Sequence, residues 1–225
     1  GHTVTPERVA ALPAEERGAW ERYLARSGER RRAEIAMLAA EVRAEGLAVS
    51  VAIQRFGAVP GPAGFATGMA GPTLLVHGTD DQKRRHLRGM VTGGDGYCQL
   101  FSEPNAGSDL AGLQTVAAPD GDAWVVNGQK VWTSGGQVAN KAMLVARTNV
   151  DVPKHAGMTA FLVPLDAPGV EIRPIQQMSG GASFNEVFLS GVRVSDEMRV
   201  GDVGVGWKVA LTVLGHERAT SGSSR

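Results

Sequence analysis

The sequence predicts an α+β protein in three parts: a helical N-terminal region over residues 1–94, a central β domain over 95–204, and a helix that opens a further domain over 205–225. Three observations carry this prediction. Residues 5–46 are rich in Ala, Glu and Arg, and Ile35, Leu38, Ala39 and Val42 recur at helical spacing. Between 95 and 200 the pattern changes to short apolar runs separated by Gly, Pro, Asp and Asn, as in an antiparallel barrel or sandwich. From Val205 or Gly206 onward, Trp207, Ala210, Leu211 and Leu214 stand at i, i+3, i+4 and i+7.

In chain order, the first amphipathic helix carries Arg30 to Arg32 as a solvated edge, and residues 57–72, with several glycines and prolines, read as a linker or broken helix. The next helix runs from Thr79 to about Met90. Asp80 and Asp81 precede Lys83, Arg84, Arg85 and Arg88, which places acids early and bases late, as the helix dipole favours. Seven strands are predicted: Tyr97–Phe101, Ala123–Val126, Lys130–Trp132, Ala142–Ala146, Thr159–Val163, Val170–Ile175 and Glu186–Val194. Asn127-Gly128 is a strong signal for a two-residue hairpin between the second and third. In the last helix, burial of three large side chains is worth about 1.5 to 3 kcal/mol each. Arg218 falls on the same predicted stripe, where an unpaired charge is costly, so it is expected to have a partner or to belong to a site.

Composition excludes several classes. The 23 basic and 23 acidic side chains leave no net charge, so nothing favours a polyanion and nucleic acid is not an expected ligand. The single cysteine, Cys98, excludes an internal disulfide framework and suits a reducing compartment. No apolar run approaches the roughly 20 residues needed to span a bilayer. The start lacks the regions of a signal peptide, so a cytoplasmic location is expected. The chain opens Gly-His rather than with Met, so a processed terminus or one introduced for expression is expected. Five scattered histidines, with no second histidine after His216-Glu217, predict no metal site. Gly107-Ser108-Asp109 is not a nucleophile elbow, and neither a dinucleotide fingerprint nor a phosphate-loop lysine motif is present, so nicotinamide and nucleoside-triphosphate chemistry are disfavoured.

Two segments point to a ligand. Residues 99–112 are an apolar run that breaks at Glu103-Pro104 into a polar turn ending in Ser108-Asp109. Pro104 biases Glu103 toward an extended conformation, Gly107 widens the angles open to the turn, and Asn105, Ser108 and Asp109 can bond nearby backbone groups. Backbone donors arranged in this way suit phosphate or the carbonyl groups of a flavin. The plainer alternative is an Asx turn that caps a strand. In residues 124–136 a second strand ends at Trp132-Thr133-Ser134, followed by two glycines. An indole there can lie against an isoalloxazine and Ser134 can bond its ring nitrogen, or Trp132 is an ordinary core residue.

Together these segments resemble the flavin-binding signature of the acyl-CoA dehydrogenase family. Gly71–Thr79 with Gln82-Lys83 resembles the family's helix and loop before the first signature, and Met178–Phe188 the strand that closes its central domain. The match runs from about Gly64 to the end, and residues 1–60 are atypical. The resemblance implies an acyl-CoA dehydrogenase-like fold, with Val205 onward as the first helix of a C-terminal bundle that is otherwise missing. It implies FAD as cofactor, held by Gln99, Leu100, Phe101, Ser102, Gly107, Ser108, Trp132, Thr133 and Ser134. It implies α,β-dehydrogenation of an acyl-CoA to a 2-enoyl-CoA: a base takes the α-proton while the β-hydrogen leaves as hydride to the flavin. An adjacent Glu-Arg pair resembles the long-chain and isovaleryl branches, which place the base at the Glu, here Glu217. Other branches place it downstream of Arg225. Ser108, Gly215, His216 and Arg218 are the implied substrate contacts. The implied partners are an electron-transferring flavoprotein or similar acceptor, and either further copies of the chain or a partner chain supplying the missing helices.

Ser102 and Ser134 stand where threonine is common, which keeps the hydroxyl but loses the methyl that restricts its rotamer. Asn105 replaces a frequent glycine and Thr133 an apolar residue. Two other functions fit the same residues: a flavin monooxygenase, oxidase or nitroalkane oxidase of the same fold, or a non-catalytic truncated subunit or interaction protein.

Overall fold

The computed structural model describes residues 63–222. The predicted helix through Ile35, Leu38, Ala39 and Val42, its edge Arg30–Arg32 and part of the predicted linker lie outside the described residues. A helical run opens the described part: α-helical over Ala63–Phe65, π-helical over Ala66–Ala70, then α1 over Gly71–His77. The predicted broken helix is therefore a helix widened by one π-turn, with Pro72 at the start of α1, where its missing N–H costs little.

Helix α2 spans Asp80–Thr92. Thr79 caps it reciprocally: its hydroxyl accepts from the Gln82 N–H at 3.2 Å, and Gln82 Oε1 accepts from the Thr79 N–H at 3.0 Å. Gly93, at φ +71°, ends it in a left-handed turn. The same Gln82 reaches onward, its Nε2 donating to the carbonyls of Glu197 and Arg199 at 2.7 Å each.

Eight strands follow: β1 Tyr97–Leu100, β2 Val116–Asp120, β3 Ala123–Ser134, β4 Lys141–Arg147, β5 Met158–Pro164, β6 Val170–Ile175, β7 Phe184–Ser195 and β8 Arg199–Val200. They form one sheet in the order β6-β7-β3-β2-β4-β5-β8, with β1 beside β4. Most pairings are antiparallel, as expected, but β1 runs parallel to β4 and β2 meets β4 in a short parallel register. The inner strands β4 and β5 are apolar on both faces because each face packs on a core. Met143, Val145, Ala160 and Leu162 join Leu74, Leu87 and Met90 of the helices. Leu144, Phe161 and Val163 join Trp124, Val126, Val187 and Val192.

The predicted hairpin at Asn127-Gly128 is not formed. Ala123–Ser134 is one continuous strand along β7, with a bulge at those two residues. Gly128 is there because Thr115 crosses so closely that a Cβ would stand 2.3 Å from its hydroxyl, and Asn127 Oδ1 accepts from the Gly191 N–H. The two-residue turn lies earlier, at Gly121-Asp122, between the unpredicted β2 and β3. Gly121, at φ +64°, supplies the angle that such a turn requires.

Helix α3 spans Gly206–Gly222. A Cβ at Gly206 would stand 2.6 Å from the Thr159 N–H nitrogen, so glycine lets the helix start directly against β5. The buried face is Val209, Ala210 and Val213, with Trp207 and Leu214 partly covered, while Leu211 is 46% exposed. The predicted stripe is thus rotated by about one residue, and Arg218 lies exposed rather than on the buried face. The cost that argued for a buried partner of Arg218 does not arise.

Candidate functional site

The two signature segments meet in one corner of the sheet. After β1, Glu103 and Ala106 exchange backbone hydrogen bonds of 2.8 and 3.1 Å around Pro104-Asn105, forming a tight turn. The Val131 N–H of β3 donates to the Ser102 carbonyl at 2.9 Å, so the chain leaving β1 is fastened to the strand that carries Trp132.

Below that junction lies an ion pair that the sequence reading did not anticipate. Lys130, fully buried, donates its three ammonium protons to the Phe101 carbonyl (3.0 Å), the Val145 carbonyl (2.9 Å) and Glu103 Oε1 (2.8 Å). Glu103, 7% exposed, also accepts from the N–H groups of Thr115 (2.9 Å) and Gln114 (2.6 Å). Burial alone raises a carboxyl pKa, but Lys130 and these donors outweigh it and hold Glu103 below the usual carboxylate range. Burial also pushes Lys130 down, and the Glu103 carboxylate opposes that shift. A signal was available: on an unbroken β3, Lys130 falls on the inward side with Trp124 and Val126. The assumed hairpin hid it.

Beyond Lys130 the strand bulges again. Trp132 takes φ +62°, alone among the described non-glycine residues, and is 60% exposed, its ring edge-on to Phe184 at 6.1 Å. A bulky side chain in that region is strained and persists only where its surroundings dictate it. Asn185, buried on β7, supplies part of that constraint, its Nδ2 donating to the Thr133 carbonyl (2.9 Å) and to Gln137 (2.5 Å). Thr133 points inward, its hydroxyl buried without a hydrogen-bond partner, while Ser134 points outward.

The remaining predicted residues divide. Gln99 and Ser102 are half-buried, and Gly107 and Ser108 exposed. The side chains of Leu100 and Phe101 are buried in the two cores. The Asp109 carbonyl accepts from the Gly112 N–H while its side chain pairs with Lys154 at 2.8 Å, and the buried Arg147 binds the carbonyls of Lys154, Ala111 and Leu113. Gly215, His216, Glu217 and Arg218 lie on the last turns of α3, with His216 and Glu217 half-buried and Gly215 and Arg218 exposed. Helix α3 is seated by a His77–Thr212 hydrogen bond of 2.8 Å and by His155 edge-on to Trp207. A cleft of about 800 Å³, bounded by His77, Gln82, Arg85, Glu197, Asp202 and Lys208, includes none of the predicted site residues.

The arrangement fits a flat, oxygen-bearing ligand such as FAD. An exposed indole on a strained backbone, a hydroxyl beside it and a backbone turn meet at a junction stiffened from beneath. The fold is that of the β domain of flavin-dependent acyl-CoA oxidoreductases, and comparison with known proteins agrees. Residues 98–192 match the family model described as the middle domain of acyl-CoA dehydrogenase. Acyl-CoA dehydrogenase IpdE1 of Mycobacterium tuberculosis is 48% identical over 157 residues, covering 70% of this chain and 41% of that protein. IpdE1 of Mycolicibacterium smegmatis is 41% identical, covering 92% of this chain and 56% of that protein. Among solved structures, the Tcur3481-Tcur3483 steroid ACAD superposes with a TM-score of 0.69 at 32% identity, over 96% of this chain and 63% of that one. The chain belongs to the acyl-CoA dehydrogenase family and spans 41%, 56% and 63% of the length of these three relatives.

Proposed function

We propose that this chain is the FAD-holding part of an enzyme that dehydrogenates acyl-CoA thioesters to 2-enoyl-CoA. The observation that carries the reading is the junction of Ser102 with Val131, which fastens the chain after β1 to the strand that displays Trp132. In this reading the backbone of Gln99–Ser102, the Ser102 and Ser134 hydroxyls and the Trp132 ring hold and orient the isoalloxazine, with Gly107, Ser108 and Thr133 shaping the edges. Trp132 and Phe184 keep water from one side of the ring. When bound, FAD supplies the acceptor for the β-hydride.

The α-proton of a thioester is weakly acidic, so a positioned carboxylate must take it while negative charge on the thioester oxygen is stabilised by nearby donors. Glu217 is assigned as that base. Gly215, His216 and Arg218 beside it, with Ser108 on the turn, are assigned to the substrate. Electrons leave to an electron-transferring flavoprotein or a similar acceptor. Further subunits complete the assembly, a reading supported by the similar ChsE4-ChsE5 complex of Mycobacterium tuberculosis, 32% identical with a TM-score of 0.67.

Anaerobic mixing of the FAD-loaded full-length protein with straight-chain, branched and steroid-derived acyl-CoAs tests the proposal. Bleaching of the flavin by at least one thioester, abolished by Glu217→Gln, is the expected result. One neighbour, the prolyl acyl carrier protein oxidase AnaB, is 30% identical with a TM-score of 0.65, and it favours oxidase chemistry as the second reading. Rapid reoxidation of the reduced flavin by oxygen, with hydrogen peroxide formed, would select it.

A further inference from the structure

We propose that the buried Glu103–Lys130 pair is a positioning device that ties the two flavin-facing segments into one preformed cradle. The proposal rests on the flavin reading given above. It follows from where the hydrogen bonds end. Of the three Lys130 bonds, one holds the Phe101 carbonyl at the exit of β1, one the Val145 carbonyl of the central β4, and one the Glu103 carboxylate. Glu103 in turn binds the N–H groups of Gln114 and Thr115, where the chain re-enters the sheet before β2. The loop 101–115, with the turn Pro104–Asp109 at its tip, is therefore clamped at both ends by one pair. Lys130 is also two residues before Trp132, and the intervening Val131 N–H holds Ser102. A single buried centre thus fixes the spacing between the turn and the strained tryptophan.

Burying two charges is an expensive way to hold a loop. Removing both together is tolerated far better than removing one, and a pair of apolar side chains could fill the space. What apolar side chains cannot do is engage four separate backbone groups at fixed distances. The geometry is worth its cost where a ligand must meet a loop and a strand in one register, because ordering that is already present in the free protein need not be supplied on binding.

The test uses the full-length protein, with FAD affinity read from the quenching of flavin fluorescence and the folded fraction from circular dichroism and thermal melting without FAD. The double variant Glu103→Gln/Lys130→Met removes both charges and leaves no unpaired one. It is expected to melt well above the single Lys130→Met variant, below wild type only by the cost of the lost donor to the Phe101 and Val145 carbonyls, yet to bind FAD about tenfold more weakly or worse, the scale on which lost preorganisation shows in affinity. Its flavin absorption bands should also shift toward those of free FAD, a signature that a loss of stability alone does not produce. The single Lys130→Met strands the Glu103 charge and is expected to lose both folding stability and FAD. Arg173→Ala, which breaks an exposed pair with Glu171, is the control and should leave both unchanged. A folded double variant that binds FAD within twofold of wild type overturns the positioning role while leaving the flavin reading intact. A folded wild type that binds no FAD overturns both.

Discussion

Strand β3 carries two tryptophans eight residues apart, and they have opposite fates. Trp124 is 8% exposed, tilted against Phe161 at 5.4 Å, with its indole N–H donating to Asp196 at 2.7 Å. Trp132 is 60% exposed and sits on a strained backbone. Both positions have the same parity, so an unbroken pleat would have sent both rings to the same face. The bulges within β3 and the left-handed turn at Trp132 break that phase. The first tryptophan holds the sheet together, and the second is displayed by it.

The largest effect that tests this contrast is the truncation of Trp124. Trp124→Ala should destabilise the protein by about 3 to 5 kcal/mol, as removal of a buried aromatic does, measured by denaturant unfolding. Trp132→Ala should leave the midpoint almost unchanged while impairing flavin binding. Equal losses at the two positions would break the contrast.

Next comes the acid dependence of the pair beneath Trp132. Glu103 is held below its ordinary value, so its contribution is present above the unfolded carboxylate value of 4.5 and is lost as pH falls through the lower folded value. Glu103→Gln should therefore flatten the loss of stability on the acid side, seen as melting temperature against pH.

At the other end of β3, Asp196 is held at about 2, first by the Arg199 guanidinium and then by the Trp124 indole. Its stabilisation is present above the unfolded value of 3.8 and fades as pH approaches 2. The Asp196 side chain is 42% exposed. Solvent screening therefore limits the cost of Asp196→Asn to about 1 kcal/mol or less, and that cost should shrink with added salt.

A comparison of similar size, between two variants at one position, sharpens the claim of strain. Trp132→Gly should be more stable than Trp132→Ala by about 1 kcal/mol, because glycine alone takes a positive φ without penalty. If alanine is the more stable of the two, the backbone there is not strained.

Local signals in the sequence were reliable where one short stretch decides the outcome. The start of α2 follows from Thr79 and the acids behind it, and Val170–Ile175 is a strand with the bounds its alternation predicts. Strand β2 was missed because only Ala117 in it is buried and Pro119 weakens the pattern. The hairpin was misplaced because Asn127-Gly128 satisfies a tertiary need, the crossing of Thr115, that no local window contains. The same holds at the candidate site. Ser102, Trp132 and Ser134 were legible as motif residues, whereas the Glu103–Lys130 pair links residues 27 apart and emerges only once β1, β3 and β4 lie side by side.

Gln82 closes the N-terminal cap of α2 with one end of its side chain and, with the other, holds the carbonyls of Glu197, just before the short edge strand β8, and of Arg199, its first residue. Fraying of the first turn of α2 and detachment of β8 are therefore one opening rather than two. Amide hydrogens at Gln82, Lys83 and Val200 should exchange with a common free energy and a common response to denaturant, as members of one cooperative unit. Gln82→Ala should separate them into a helix end and a sheet edge that open independently.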